Sequence, residues 1–437
     1  MMKTIVERNP YQIFSDVEQP DSWLKIFKKR LPLWPESLQA KRQAAWDSAA
    51  GLVFPDRKDE SWRWMSYKEI ILSQLDVVED SNTILKKITV FSKPGDETKT
   101  LAELPDGVVV GSVKELLLQN PEVVERCFSQ SKAVSDGKFV ALATAMADDG
   151  LFIYVPRNVN LEDHIKVELE LSLDNKLKWT HSMIVLEENA RASFEVNWLS
   201  GHNRSDGLHN GTMEIILGDG AHLDLDEVQL LDDKSWNISY AESRIGRDAN
   251  LEWNTAVFGA KSSKNFIKAD LSGKGANAKI HGLMFPEQGQ VINLETRQNH
   301  WDVSTTSDLL FKSVAANHAR SIWHGMIYVD PKAQQTDAYQ TNKNLVIDDS
   351  ADVKSIPGLE IHADDVKCSH GATVGSIDKA ELFYLEARGI PYLEAEKLIV
   401  EGFLNQVVQS FKIDKTREEL GKMIIKKMDR FQFEEGK

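Results

Sequence analysis

Metal-ligand residue types concentrate in one stretch of the chain, Glu360-Ile-His362-Ala-Asp364-Asp365-Val-Lys-Cys368-Ser-His370-Gly371. Read as a strand, its alternate side chains share a face. That places Glu360, His362, Asp364, Val366, Cys368 and His370 together and turns Leu359, Ile361 and Ala363 toward a core. Cys368 and His370 then present a thiolate and an imidazole side by side. Such a pair suits zinc, copper or iron–sulfur species better than magnesium or calcium. A structural metal wants about four ligands, and the chain's two cysteines, Cys127 and Cys368, cannot supply a Cys₄ site. The stretch therefore reads as half of a site, completed by a partner surface. The plainer reading stands beside it: a lone Cys is commonly a small buried hydrophobe, and a His beside glycine a hydrogen-bonding turn residue. Cys127, in Val123-Val-Glu-Arg-Cys-Phe128 on a helical pattern, reads as core.

Other chemistries find no footing. There is no phosphate-binding G-x-x-x-x-G-K-[ST] loop and no G-x-S-x-G elbow. Gly273-Lys-Gly275-Ala-Asn-Ala278 mimics a dinucleotide fingerprint, but Lys279-Ile-His-Gly282 does not open a helix. The acid pairs Asp148-Asp149, Asp348-Asp349 and Asp364-Asp365 read as loop and turn formers.

The elements that would position Cys368 and His370 fall into three regions. Residues 1–137 form a mostly helical N-terminal domain, with amphipathic spacing in Asp21–Arg30 and Pro35–Trp46. Its tryptophans Trp23, Trp34, Trp46, Trp62 and Trp64 read as packing anchors. Residues 138–376 switch to period two and carry a recurring tag, a small or polar residue followed by Ala, at Ala190, Ala221, Ala249, Ala276, Ala319 and Ala351. The intervals are 31, 28, 27, 43 and 32 residues. Such a recurrence, with strands and no helices, predicts a parallel β-helix (β-solenoid), with a β-sandwich as the runner-up. Residues 377–437 form a C-terminal helical domain of three helices, capped by Asp378 and by the capping box Thr416–Glu419. Capping the solenoid end is the role expected of these helices, because an uncovered end invites aggregation.

Composition bounds the setting. The 437 residues carry 52 Lys+Arg against 67 Asp+Glu, a formal net charge of −15, which argues against nucleic acid and anionic membranes as partners. No apolar run is long enough to span a bilayer. Met1 to Arg8 lack an export-signal pattern, and two cysteines make no disulfide scaffold, so a reducing cytoplasm is expected.

Gly325-Met-Ile-Tyr-Val329, Ala333–Asn342 with Asn344-Leu345, Pro357–Gly375 and Leu382–Gly389 together resemble the SufB/SufD family of iron–sulfur cluster assembly proteins. Arg57–Trp64 and Asp149–Pro156 extend the resemblance over nearly the whole chain. Cys368-Ser-His-Gly-Ala372 follows the pattern typical of the SufD branch; the SufB branch typically reads Cys-Glu-His-Glu-Ala and carries further ligand candidates. The resemblance implies a right-handed parallel β-helix between helical ends. It implies a non-catalytic scaffold subunit that forms a heterodimer with SufB and associates with the SufC ATPase through the helices from about Ser376, with Leu382, Phe383, Leu385 and Phe403 as partner-binding residues. His370 and Cys368 are then candidate ligands of a transient iron–sulfur cluster or iron shared at the subunit interface, with no cofactor held tightly by the isolated chain. Two alternatives are a homodimeric SufB-like scaffold and a polysaccharide-active β-helix enzyme using Asp348-Asp349 or Asp364-Asp365 as acid and base.

Overall fold

The computed structural model describes residues 21–65, 75–77, 84–93, 96–99, 101–132, 137–201 and 206–432. Met1 to Arg8, on which the export-signal reading rests, lie outside them. Among the described residues, sixteen strands from Leu151–Val155 to Val366–Ser376 alternate between two sheets, eight strands in each. All neighbours within this set pair in parallel. The first sheet runs from Leu151–Val155 to Asp352–Ile361, and the second from Asn160–Leu171 to Val366–Ser376. One coil advances the chain by 27 residues where Asn250 pairs with Asn277 and by 32 where Arg320 pairs with Asp352. This is the β-solenoid expected from the recurring tag.

The tags are the corners of the coils. Asn189, Gly220, Asp248 and Gly275 all take positive φ, and the alanine after each is fully buried. The corners stack closely: a Cβ on Gly220 would stand 2.4 Å from Asn189 Oδ1. The 43-residue interval conceals a change of series. Ala190 to Ala276 precede strands of the second sheet, and that series continues through Thr305 and Thr336, each behind a positive-φ residue, Ser304 and Gln335. Ala319 and Ala351 precede Arg320–Val329 and Asp352–Ile361, strands of the first sheet.

Inward side chains of both sheets meet in one continuous core, with Ile153, Ile165, Phe194, Trp253, Phe311 and Trp323 fully buried. The helices occupy the outer faces. Helices α1 (Asp21–Arg30) and α2 (Glu36–Gly51) pack on the first sheet, where Trp23 meets Trp179 edge-on at 5.3 Å. Trp34 joins α3 (Val113–Gln119) and α4 (Pro121–Phe128) over Phe152 and Met183. Trp23, Trp34, Trp46 and Trp62 are all buried, as anchors of this docking rather than of a separate helical core.

Two features of the N-terminal half differ from the sequence reading. Residues 76–77, 85–93, 96–99 and 109–112 are strands, and the last three extend the sheets through antiparallel pairing. A further helix, α5 (Lys138–Met146), lies in the stretch read as period two; every one of its nine residues is buried, so no polar face marks its period. Arg30 Nη1 donates to Met146 O at 2.6 Å and Arg42 Nη2 to Ala145 O at 2.9 Å, satisfying carbonyls left free at the end of α5. Asp148 pairs with Arg30 and Lys178 at 3.2 and 2.9 Å. Asp149 is fully buried and accepts from Ser112 Oγ and from the backbone N–H of Ile84, Lys114 and Gly150. This acid pair is a staple, not a turn former.

The C-terminal helices are α6 (Lys379–Ala387), α7 (Tyr392–Val408) and α8 (Asp414–Gln432). Asp378 caps α6 as expected, accepting from Ala380 N–H at 2.8 Å. The expected end-capping role is overturned. Val400, Leu404, Val407, Phe411, Leu420 and Ile424 lie against Ala256, Phe285, Leu310 and Val314, along the flank of the second sheet. The outer face of that sheet is apolar there, and covering it removes that surface from water. Helix α8 begins two residues before Thr416, whose hydroxyl donates to the buried Glu195 carboxylate instead of capping.

Buried polar contacts pin this arm. Glu195 pairs with Lys166 Nζ at 2.8 Å, and Lys427 Nζ reaches Glu287 at 3.0 Å. Asp226 accepts from Asn254 Nδ2 and from the backbone N–H of Lys412. Burial pushes the Asp226 carboxyl up to about 7, against an ordinary 3.8. The folded state therefore binds this proton more tightly than the unfolded chain, so its contribution to stability falls as pH rises from about 4 to about 7 and is level above. Asp226→Asn removes that decline, and thermal unfolding midpoints across this range should be flatter than in the parent. An unchanged slope would show that Asp226 does not titrate in the folded protein.

Candidate functional site

Cys368 and His370 lie on Val366–Ser376, the last strand of the second sheet. The even-face grouping from Glu360 to His370 is not what the chain forms. Asp352–Ile361 ends the first sheet, and residues 362–365 make the corner to the second. Glu360 is in register with Tyr328 and faces outward, with His362 Nε2 3.1 Å from its carboxylate and the His362 ring 5.7 Å from Tyr328. Cys368 and His370 are in register with Ala338 and Gln340, both buried inward-facing residues. They therefore project between the two sheets, at the open mouth of the lumen. Asp364 and Asp365 sit exposed in the corner. Asp348, of the other pair invoked for acid–base chemistry, accepts from Asn317 and Ser350 N–H in a turn.

The two candidate ligands differ in environment. Cys368 is half-buried and packs with Ile327, Val329, Ala338 and Ala363. Burial pushes its thiol pKa up, opposed by a hydrogen bond with the Ala338 backbone. The thiol is protonated at neutral pH and must lose its proton to bind a metal. His370 is exposed. Two residues apart on one face, their backbones are separated by about 6.6 Å. Among the described residues no group of three or more His, Cys, Asp or Glu side chains could hold a metal ion. The donor set is thus short of the roughly four a bound metal requires.

A feature that sequence reasoning missed surrounds them. Among the described residues, Asp352–Ile361 pairs only with Arg320–Val329, and Val366–Ser376 only with Thr336–Val346. Strands of ten and eleven residues thus end the two sheets with one edge of each unpaired among the described residues. Leu359, Ile361 and Val374 are exposed there. Their alternating pattern is the same as in the coils before them, so nothing in it marks the last coil. Of the residues expected to bind partners, Phe383 is 71% exposed and Leu382 is buried. Leu385 is half-buried. Phe403 packs against the flank of the solenoid, with Lys312 Nζ over its ring at 4.9 Å.

The family model for the SUF system FeS cluster assembly SufBD core domain matches residues 170–403, more than half of the chain. The model for the SufBD protein N-terminal region matches residues 86–167. The chain belongs to the SufB/SufD family of iron–sulfur cluster assembly proteins. The iron-sulfur cluster assembly protein SufD of Bacillus subtilis is 27% identical over 448 residues, covering 98% of this chain and 99% of that protein. An iron-sulfur cluster assembly SufBD family protein of Staphylococcus epidermidis is 26% identical over 298 residues, 68% of this chain and 64% of that one. One of Staphylococcus saprophyticus is 26% identical over 303 residues, 69% and 65%. These staphylococcal matches span just under two thirds of the relatives' length. The polysaccharide reading finds no support in these relatives. No helix among the described residues is long and apolar enough to cross a membrane.

The thiols give a direct check on the geometry. Burial pushes Cys127 up to about 11. An aromatic disulfide reagent at neutral pH should label Cys368 more slowly than a free thiol in solution. It should label Cys127 only after unfolding. Rapid labelling of both in the native protein would contradict the burial described.

Proposed function

We propose that this SufD-like member of the SufB/SufD family is a non-catalytic scaffold subunit that builds a nascent iron–sulfur cluster, its cargo, at an interface with a SufB partner. The observation that carries the reading is the open last coil, where Cys368 and His370 stand between two unpaired strand edges. Unpaired backbone groups on edges this long are a template for another chain. A partner whose own last coil docks there satisfies them and brings its ligands to the mouth. Cys368 and His370 would supply the half-complement of donors from this side. Cys368 is half-buried with its thiol pKa pushed up by burial, whereas His370 is exposed, so His370 is the readier ligand of the two. Cluster and iron are transient, and no cofactor is held tightly by the chain alone.

Association with the SufC ATPase falls to α6 and the start of α7, where Phe383, Tyr384, Tyr392 and Leu393 are exposed. Leu382 is buried and Leu385 half-buried on the same helix, and Phe403 packs α7 on the solenoid. A reducing cytoplasm is the proposed setting, in keeping with two free cysteines. Without SufB, the same open coil would close on a second copy, giving a homodimer.

Two measurements test these readings. Coexpression of the three subunits with His370→Ala should leave the complex assembled but lower cluster content and target-protein maturation at least tenfold. Undiminished maturation would remove His370 from the mechanism. Phe383→Ser should weaken copurification of the ATPase while thermal stability stays within a few degrees of the parent, since an exposed ring contributes little to the fold. Full retention of the ATPase would exclude Phe383 from its docking surface.

A further inference from the structure

Side chains do not fill the lumen throughout. A cavity of about 40 Å³ lies between the sheets, in the coils from Thr180 to Leu294. Glu227 lines it from the second sheet and Ser239 from the first. Their neighbours on the same strand faces, Leu225 and Ala241, belong to the core between the sheets, so both side chains point inward. Both are nevertheless only half-buried. The surface they keep is therefore surface of this cavity.

Glu227 meets no cation there. Its two oxygens accept from the indole N–H groups of Trp198 at 2.8 Å and Trp253 at 3.3 Å. Among the described residues no Lys or Arg lines the cavity. The imidazole that does, His209, has both ring nitrogens engaged elsewhere, with Thr180 Oγ1 at 2.9 Å and Asn237 Oδ1 at 2.8 Å. Burial pushes that imidazole down to about 4, so it is neutral and offers no charge. Burial likewise pushes the Glu227 carboxyl up, opposed by the two indoles. A carboxyl taken out of bulk water still has lone pairs, and a proton when it carries one, that require partners. Across the space, the Ser239 hydroxyl donates to Asn265 Oδ1 at 2.7 Å and keeps acceptor capacity. Thr255, the register partner of Glu227, adds a second hydroxyl to the lining.

We propose that the lumen is a binding site for ordered water, which bridges the Glu227 carboxyl to the hydroxyls of Ser239 and Thr255. A water requires roughly 10–15 Å³ of such space and two to four polar partners, so the cavity holds about two or three molecules. They complete the hydrogen bonding of the acid, and the acid in turn fixes the rings of Trp198 and Trp253. This site lies away from the last coil, and its role is independent of any ligand bound there.

The test is a high-resolution crystal structure of the full chain, with crystals soaked in Rb⁺ and, separately, pressurised with xenon. Water is expected within hydrogen-bond distance of a Glu227 oxygen and of Ser239 Oγ. A rubidium anomalous peak at that position would assign the site to a cation and overturn the proposal. Xenon in the cavity would show it to be dry and overturn it equally. Glu227→Gln, which keeps a polar end, should retain the waters and melt within a few degrees of the parent. Glu227→Met, of similar length without polar atoms, should lose them; waters unmoved in this variant would show that the acid does not bind them. Should Glu227→Met fail to fold, Ser239→Ala reads the site from the other sheet. It should lose the water that bridges to the hydroxyl, and an unchanged water structure there would overturn the bridge.

Discussion

The ladder of backbone hydrogen bonds between coils governs the rest of this molecule. Each coil satisfies its peptide groups on the coil before and the coil after, so the stack has no internal reason to stop. What it must have is two ends, and the ends differ. At the N-terminal end the sheets run out through antiparallel pairing into Val109–Ser112 and Asp96–Lys99, four residues each. The first is largely buried and the second, Asp-Glu-Thr-Lys, is charged, both recognised ways of blunting an edge. At the C-terminal end no described strand pairs with the last coil. The chain leaves the last coil, turns through α6 and runs back along the flank.

That return path is explained by what the strands leave over. A strand whose inward residues fill the lumen still presents an outer face, and parts of these outer faces are apolar. Helices α1 to α5 cover the first sheet, and α7 and α8 cover the second. Each docking is fixed in register by a few buried polar groups. Arg30, Arg42 and Asp148 do this on one side, and Glu195, Asp226 and Lys427 on the other. Breaking such a group leaves an uncompensated buried charge, so these contacts specify position more than they add stability.

The solenoid was legible in the sequence because its corners demand unusual backbone angles at fixed intervals. Asn189, Gly220, Asp248 and Gly275 supply them, with alanine behind to allow close stacking. Thr305 and Thr336 escaped notice because a buried threonine fills the same corner as alanine. Helix α5 escaped because it has no polar face. The ligand stretch was legible as residue types, but its grouping on one face was not. The corner at residues 362–365 carries no glycine or proline to announce it, so Glu360 and His362 parted from Cys368 and His370. The role of the C-terminal helices was misjudged for a different reason: their apolar stripes show that something is covered, not which surface. That choice rests on the outer faces of strands far earlier in the chain.

The unlike ends set a limit on assembly. In the language of polymer chemistry, a monomer with two reactive ends grows into a chain, whereas a monofunctional one terminates it. With one end blunted and one end live, this solenoid has a functionality of one. If a partner docks on the last coil as proposed, the coupling happens once, to a like or unlike chain, and uses up the live end. Under the proposed docking, a stack of parallel strands, the geometry from which fibres are made, pairs by its edges into two solenoids and no further, and other subunits bind elsewhere.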